Sequence, residues 1–312
     1  MSESNRIKVY YVKETNYGVT PVDATWKTLR YTSESLTSSH TNTSSQEVRS
    51  DRQTADSVRV SSEAAGDLSI EFSALSFDDL LEASMASTWE VDAGVSTLKV
   101  GTERPSFSIE KVFEDVDRYF AFSGMRAGTM SLNVNYGEIL QGSFSFMGNG
   151  ATASTTSLVG TGGSITPAPS TDVMNATTDL TTLNINGAPS TVCVQSLTLN
   201  LDNSLRNRNC IGSVYAKGIM YGTVAITGSM QVYFSADAFA MYQNVLDNAD
   251  ISFSFAVTDG ITQYTFTIPR AKVTGDAPTG TGLDSDVELS LEFTALLDPT
   301  TETSLLIEKE TL

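Results

Sequence analysis

Apolar residues recur at every second position through most of this chain. That spacing restricts it to strands with one face on a core and the other in solvent, because a helix would need a period of 3.6. Leu68, Ile70 and Phe72 alternate with Asp67, Ser69 and Glu71, and Leu132, Val134 and Tyr136 alternate with Ser131, Asn133 and Asn135. Leu197, Leu199 and Leu201 alternate with Ser196, Thr198 and Asn200, and Val287, Leu289, Leu291 and Phe293 repeat the pattern. Only "FDDLLEASM" and "AFAMYQNVLD" space their apolar residues as a helix does, with Asp78 and Asp79 in a first turn where the helix dipole favours anions. The expected class is mainly β, with two short helices.

The helical stretches close two similar passages, "GDLSIEFSALSFDDLLEASM" from Gly66 and "GSMQVYFSADAFAMYQNVLD" from Gly228. Aligned, they pair Gly66 with Gly228, Phe72 with Phe234, Ser73 with Ser235, Ala74 with Ala236 and Phe77 with Phe239. After each helix the same order follows: an apolar strand, a tyrosine-led strand ("RYFAFSG", "QYTFTIP") and an alternating strand ("ILQGSFSFMG", "VELSLEFTALL"). The order predicts a tandem duplication, and 312 residues suit two cores better than one. We divide the chain into a first domain at 1–155, a Gly/Ser/Thr/Pro linker at 156–171 and a second domain at 172–312. Asn186-Gly187 is read as a hairpin turn opening the second domain. Residues 32–66, a long and mostly polar stretch, are read as a loop.

Charge and residue inventory remove whole classes of function. The chain carries 19 Lys and Arg against 37 Asp and Glu, a net charge of −18, which opposes specific binding to nucleic acid. Its one histidine, His40, sits among Ser and Thr and supplies neither a metal site nor a catalytic array. "GTGGSI" at Gly160 lacks the lysine of a phosphate-binding loop and is read as linker. The carboxylates Asp78 and Asp79, and Glu114, Asp115 and Asp117, are read as solvated charge runs. Cys193 and Cys210 are too few for a disulfide framework. We expect no enzyme, no cofactor, no metal and no membrane segment, and a soluble product made in the cytoplasm.

Several stretches resemble the tail tube proteins of long, non-contractile-tailed bacteriophages. "YYVKETNYGVTP", "WKTLRYTSESL" and "SQEVRSDRQTADSVRVSSEAAGDLSIEFSALSFDDLLEA" are similar to the first half of that family. "DVMNAT", "SLTLNLDNSLRNRNCIG", "ITGSMQVYF", "FTIPRAKVTG" and "DVELSLEFTALLDP" are similar to the second, in order and over nearly the whole chain. The resemblance implies two tandem duplicated β-sandwich or half-barrel domains, each with a short flanking helix. It implies a structural virion protein whose rings stack around a channel for the genome. Two domains per chain imply a ring of three chains with pseudo-sixfold symmetry, assembled in the host bacterial cytoplasm. The implied partners are other copies of the chain, a tape-measure protein in the lumen, tail terminator and baseplate proteins, and viral DNA passing without specific binding.

On that reading Asp67, Ser69, Glu71, Ser73, Ser229, Gln231 and Tyr233 are the candidates to line the lumen. Arg49, Arg52 and Arg59 are the candidates to reach the next ring. The span from Asp284 to Leu312, with eight acidic residues and one lysine, is their acidic counterpart. The alternative is a two-domain β-sandwich binding module, an adhesin or baseplate-associated protein. It would need an aromatic platform, for which Trp26 and Trp89 stand too far apart.

Overall fold

The computed structural model describes residues 3–159, 163–280 and 282–312. Strands dominate, and among the described residues there are two α-helices, α1 (Asp78–Met85) and α2 (Ala236–Leu246). Both lie where the apolar period changes. The first three residues of "GTGGSI" fall outside the described residues.

One succession of strand pairings occurs twice. In the first half, residues 33–44 pair with Ser57–Glu71, which pairs with Gln141–Gly148, then Arg118–Asn135, Phe107–Phe113 and Ile7–Lys13. In the second half, Val194–Asp202 pairs with Ala225–Tyr233, then Glu288–Ala295, Thr262–Thr274, Asp250–Thr258 and Leu180–Ile185. Every ladder named is antiparallel. In both halves one long strand, Arg118–Asn135 or Thr262–Thr274, bends to serve both sheets of a sandwich, and the helix packs on that strand. The register repeats as well: Gly66 stands opposite Phe146 and Gly228 opposite Phe293.

The halves are not separate bodies. Arg118–Asn135 outruns its hairpin partner Phe107–Phe113, and the edge exposed at 129–135 is filled by residues 196–202 of the second half. Leu306–Thr311 adds a second ladder, to Val95–Lys99. One contiguous apolar cluster runs from Val9 through Leu132 and Leu199 to Ile307. No closed barrel forms among the described residues; the sheets remain open at 33–44 and beyond Thr274.

Two expectations change. Residues 32–66 are not a loop but a projecting hairpin, 37–44 against 57–66 with its turn at 45–56. Both its faces are exposed over most of its length, so no core imposes alternation, and only the Thr, Ser and Val content of "SHTNTS" and "SVRVSS" marks it as strand. The linker is docked. Ser164–Thr166 runs parallel to the strand at Thr25–Thr28, Val159 packs with Trp26 and Val12, and Arg30 donates to the carbonyls of Pro169 and Thr171. The hairpin at Asn186-Gly187 forms as expected, both residues with positive φ.

The repeated glycines mark close approaches. A Cβ on Gly228 would lie 2.0 Å from the Thr198 carbonyl oxygen and 2.3 Å from the Phe293 ring. Gly228→Ala should therefore cost about 2 kcal/mol or more through overpacking. Gly280→Ala, with nothing within 4 Å, should be neutral. Urea denaturation of the two variants in parallel checks the pair.

Candidate functional site

Because 129–135 pairs with 196–202, the inner sheets of the two halves fuse into one of eight strands. In order these are 33–44, 57–71, 141–148, 118–135, 194–202, 225–233, 288–295 and 262–274. Alternation gives this sheet one apolar face, on the core, and one polar face. Ser33, Ser35 and Thr37 begin the polar face, followed by Asp67, Ser69 and Glu71, then Gln141, Ser143 and Ser145. Thr129, Ser131, Asn133 and Asn135 continue it across the junction to Ser196, Thr198, Asn200 and Asp202. Thr227, Ser229, Gln231 and Tyr233, then Glu288, Ser290, Glu292 and Thr294, complete it.

Over these positions the face bears five carboxylates, those of Asp67, Glu71, Asp202, Glu288 and Glu292, and no Lys or Arg. Arg270 and Lys272 stand only at its margin, each 2.8 Å from the Asp250 carboxylate, which offsets part of their charge. Side chains tie down flat: Ser131 Oγ lies 2.8 Å from Ser143 Oγ, and Thr129 Oγ1 2.6 Å from Ser145 Oγ. Gln195 and Gln231 both donate to Glu288. The result is a smooth, hydroxyl-rich, acidic surface.

Six of the seven lumen candidates, Asp67, Ser69, Glu71, Ser229, Gln231 and Tyr233, share this face. Ser73 does not. It lies beyond the strand end, 1 % exposed, with its hydroxyl donated to Ser76. Sequence alternation had carried it one step too far. The middle of the face, from Thr129 to Asn135 and from Ser196 to Asp202, is not among the sequence candidates; the signal for it is the 18-residue strand Arg118–Asn135, longer than its partner.

Arg49, Arg52 and Arg59 ride on the projecting hairpin. Arg49 is bound within its own turn, to Asp51 at 2.7 Å, while Arg52 and Arg59 are exposed. The acidic C-terminal span is in part committed inside the chain, since Glu308 and Glu310 lie on the strand paired with Val95–Lys99.

The aspartates of α1 are not a solvated run. Asp78 accepts from Tyr264 Oη at 2.7 Å and from Lys309 Nζ at 2.7 Å, both in the second half, and Lys309 lies over the Trp89 ring. Asp79 accepts from Tyr11 Oη at 3.0 Å and Lys27 Nζ at 2.5 Å. Glu114 likewise pairs with Lys8 at 2.5 Å. A second contact between halves is built on buried Arg126, set between the rings of Tyr17 and Tyr221, with its Nη1 donating to the Ile219 carbonyl. Desolvation lowers the Arg126 pKa.

His40 shares a hydrogen bond with Ser62, and both cysteines are free and exposed. Among the described residues no cluster of His, Cys, Asp or Glu could hold a metal ion, and no helix is long and apolar enough to cross a membrane.

A family model described as "phage tail tube protein" matches residues 4–295. The chain belongs to that family. No individual curated protein matches it. Membership makes this tail tube protein a structural component of the phage tail, in a family that is generally non-enzymatic.

Two predictions follow from the junction. Asp78→Ala should destabilise the tail tube protein by about 2 kcal/mol, since it leaves partly buried donors unpaired. Burial also raises the Tyr17 and Tyr221 phenols to about 12, and raises Tyr11 and Tyr264 through burial reinforced by Asp79 and Asp78. Because these folded values exceed the unfolded value of about 10, the stability they contribute is complete below pH 10 and is lost as pH rises through about 12. Denaturant midpoints should hold to pH 9.5 and then fall. Tyr17→Phe with Tyr221→Phe should flatten that fall.

Proposed function

We propose that three copies of this tail tube protein close into a ring, and that rings stack into a tube whose channel is lined by the polar sheet face. The observation that carries this reading is the eight-stranded sheet continuous across both halves, with one acidic face whose cations, Arg270 and Lys272, stand only on the last strand. On this view each half is one copy of a duplicated tube domain, and one chain supplies two adjacent wedges of a pseudo-sixfold ring.

Barrel arithmetic favours three chains over six. Strands about 4.8 Å apart and tilted about 40° close, at twenty-four, into a barrel about 50 Å across between backbones. Forty-eight strands would enclose about 95 Å by the same estimate, far more than a double helix needs. The lining explains passage. Carboxylates and hydroxyls offer phosphates no cationic stopping points, and charge repulsion acts over about 8 Å at physiological salt.

The hairpin at 37–66 is assigned to the contact between stacked rings, with Arg52 and Arg59 facing acidic groups of the neighbouring ring. Such pairs set register more than strength. A head-to-tail stack never closes on itself and therefore grows as a filament. Assembly takes place in the host cytoplasm, around a tape-measure protein and between terminator and baseplate. The binding-module alternative lacks support: Trp26 is buried, and Trp89 is packed beneath Lys309, so neither offers a platform.

Electron microscopy of the purified protein, with mass per ring measured, tests the reading. Three chains per ring are expected. Six would remove the duplication argument, and discrete monomers at high concentration would favour the binding module. Within assembled tails, Glu71→Lys and Asn200→Lys should leave tubes intact and slow DNA ejection. Unchanged ejection would take the polar face out of the channel.

A further inference from the structure

The repeat leaves its two copies unequally covered. In the first half Phe72 is 3 % exposed, its ring 5.5 Å from that of Tyr264 and 6.2 Å from that of Phe266, both in the second half. Phe77 beside it is 1 % exposed. Their repeat partners Phe234 and Phe239 are 38 % and 46 % exposed. These two rings contact each other edge to face at 6.5 Å, and Leu246 stands exposed at the far end of the same helix. Rings of the second half shield Phe72, and Phe72 and Phe144 shield Phe77. Among the described residues the second pair has no such cover.

The strand edges are unequal in the same sense. The edge at 129–135 is filled by 196–202. Its equivalent after the second long strand is the stretch 274–280, where the ladder to Glu288–Ala295 ends at Thr274 and a cleft of about 630 Å³ opens between that stretch, Val245, Ser290 and Glu292. At the other end of the chain, residues 33–44 are the counterpart of 194–202, and among the described residues they form ladders only with Ser57–Glu71.

We propose that the contact between neighbouring copies repeats the contact between halves: residues 33–39 of one copy pair antiparallel with 274–280 of the next, and the strand around Phe120 covers Phe234 and, on α2, Phe239. This rests on the ring reading above and identifies the surfaces that close the ring. The register follows from the shared ladders. Laying Gly66–Phe146 over Gly228–Phe293 carries the in-chain pair Asn200–Ser131 onto Thr37 and Asp276. The same overlay carries Tyr264 and Phe266, whose rings cover Phe72, onto Arg118 and Phe120, and Phe120 is 39 % exposed in the single chain. A second copy of this chain supplies both an unpaired strand of matching length and a half-exposed aromatic ring, Phe120, at the matching place.

The test is a cysteine pair, Thr37→Cys with Asp276→Cys, in full-length protein whose Cys193 and Cys210 are changed to Ser. Under mild oxidation of assembled material, denaturing electrophoresis should show covalent dimers and trimers at least ten-fold above either single variant. Tubes that assemble normally but cross-link no more than the single variants would overturn the inference and leave the tube reading standing. If the parent protein forms no rings at all, the tube reading falls and takes the inference with it. Should the cysteine pair fail to fold, Phe239→Glu carries the test: its side chain is half exposed, so the monomer should keep its circular dichroism. Loss of assembly with a folded monomer is expected, and normal assembly would overturn the proposal.

Discussion

Backbone N–H and C=O groups on a strand edge have to be satisfied somewhere, and in this chain one edge organises everything else. Residues 129–135 extend past the end of their hairpin partner, and 196–202 completes them. That single ladder fuses two four-stranded sheets into one of eight, turns their polar sides into one continuous face, and lays the second half across α1. The Asp78–Tyr264–Lys309 cluster and the Arg126 contact follow from the placement it sets. Without it the polar residues of each half would be ordinary solvent-facing strand positions.

The acidic balance then acquires a location. A net charge of −18 on a chain of 312 residues opposes compaction and helps keep free monomers apart. Part of it is spent at internal pairs such as Asp78–Lys309 and Asp250–Arg270. Another part is displayed unpaired on the sheet face, where Asp67 and Asp202 have hydroxyl and amide neighbours and no cation. A surface built this way is unsuited to holding a polyanion and suited to letting one pass.

Legibility in the sequence followed burial. Strands with one face on the core, such as 68–72, 132–135, 197–201 and 288–293, stood out because the core imposes period two, and α1 and α2 stood out because the period changed. The turn at Asn186-Gly187 was readable from backbone conformation alone. The hairpin at 37–66 was not, because solvent on both faces imposes no pattern. Nor was the docking of 157–159 and 164–171, which relies on hydrogen bonds made by Ser, Thr and Pro segments that resemble a flexible linker in composition. The polar face was partly legible: alternation told which side chains face away from the core, but not which strands join. Ser73 was misplaced because alternation continues in the letters after the strand has ended at Glu71.

The two similar halves differ where their neighbours differ. At the position of Asp78, which is bound by a tyrosine and a lysine of the same chain, the repeat has Ala240, and around it stand Phe234, Phe239 and Leu246. Charged and hydrogen-bonded clusters carry a desolvation cost that a folding chain can meet, since the partners are tethered and the geometry is held on every side. A contact between separate chains begins from fully hydrated surfaces and must also offset lost translational freedom. An apolar face has no ion to desolvate, so an alanine where the first half has aspartate is the residue expected if the first half meets its own chain and the second meets another.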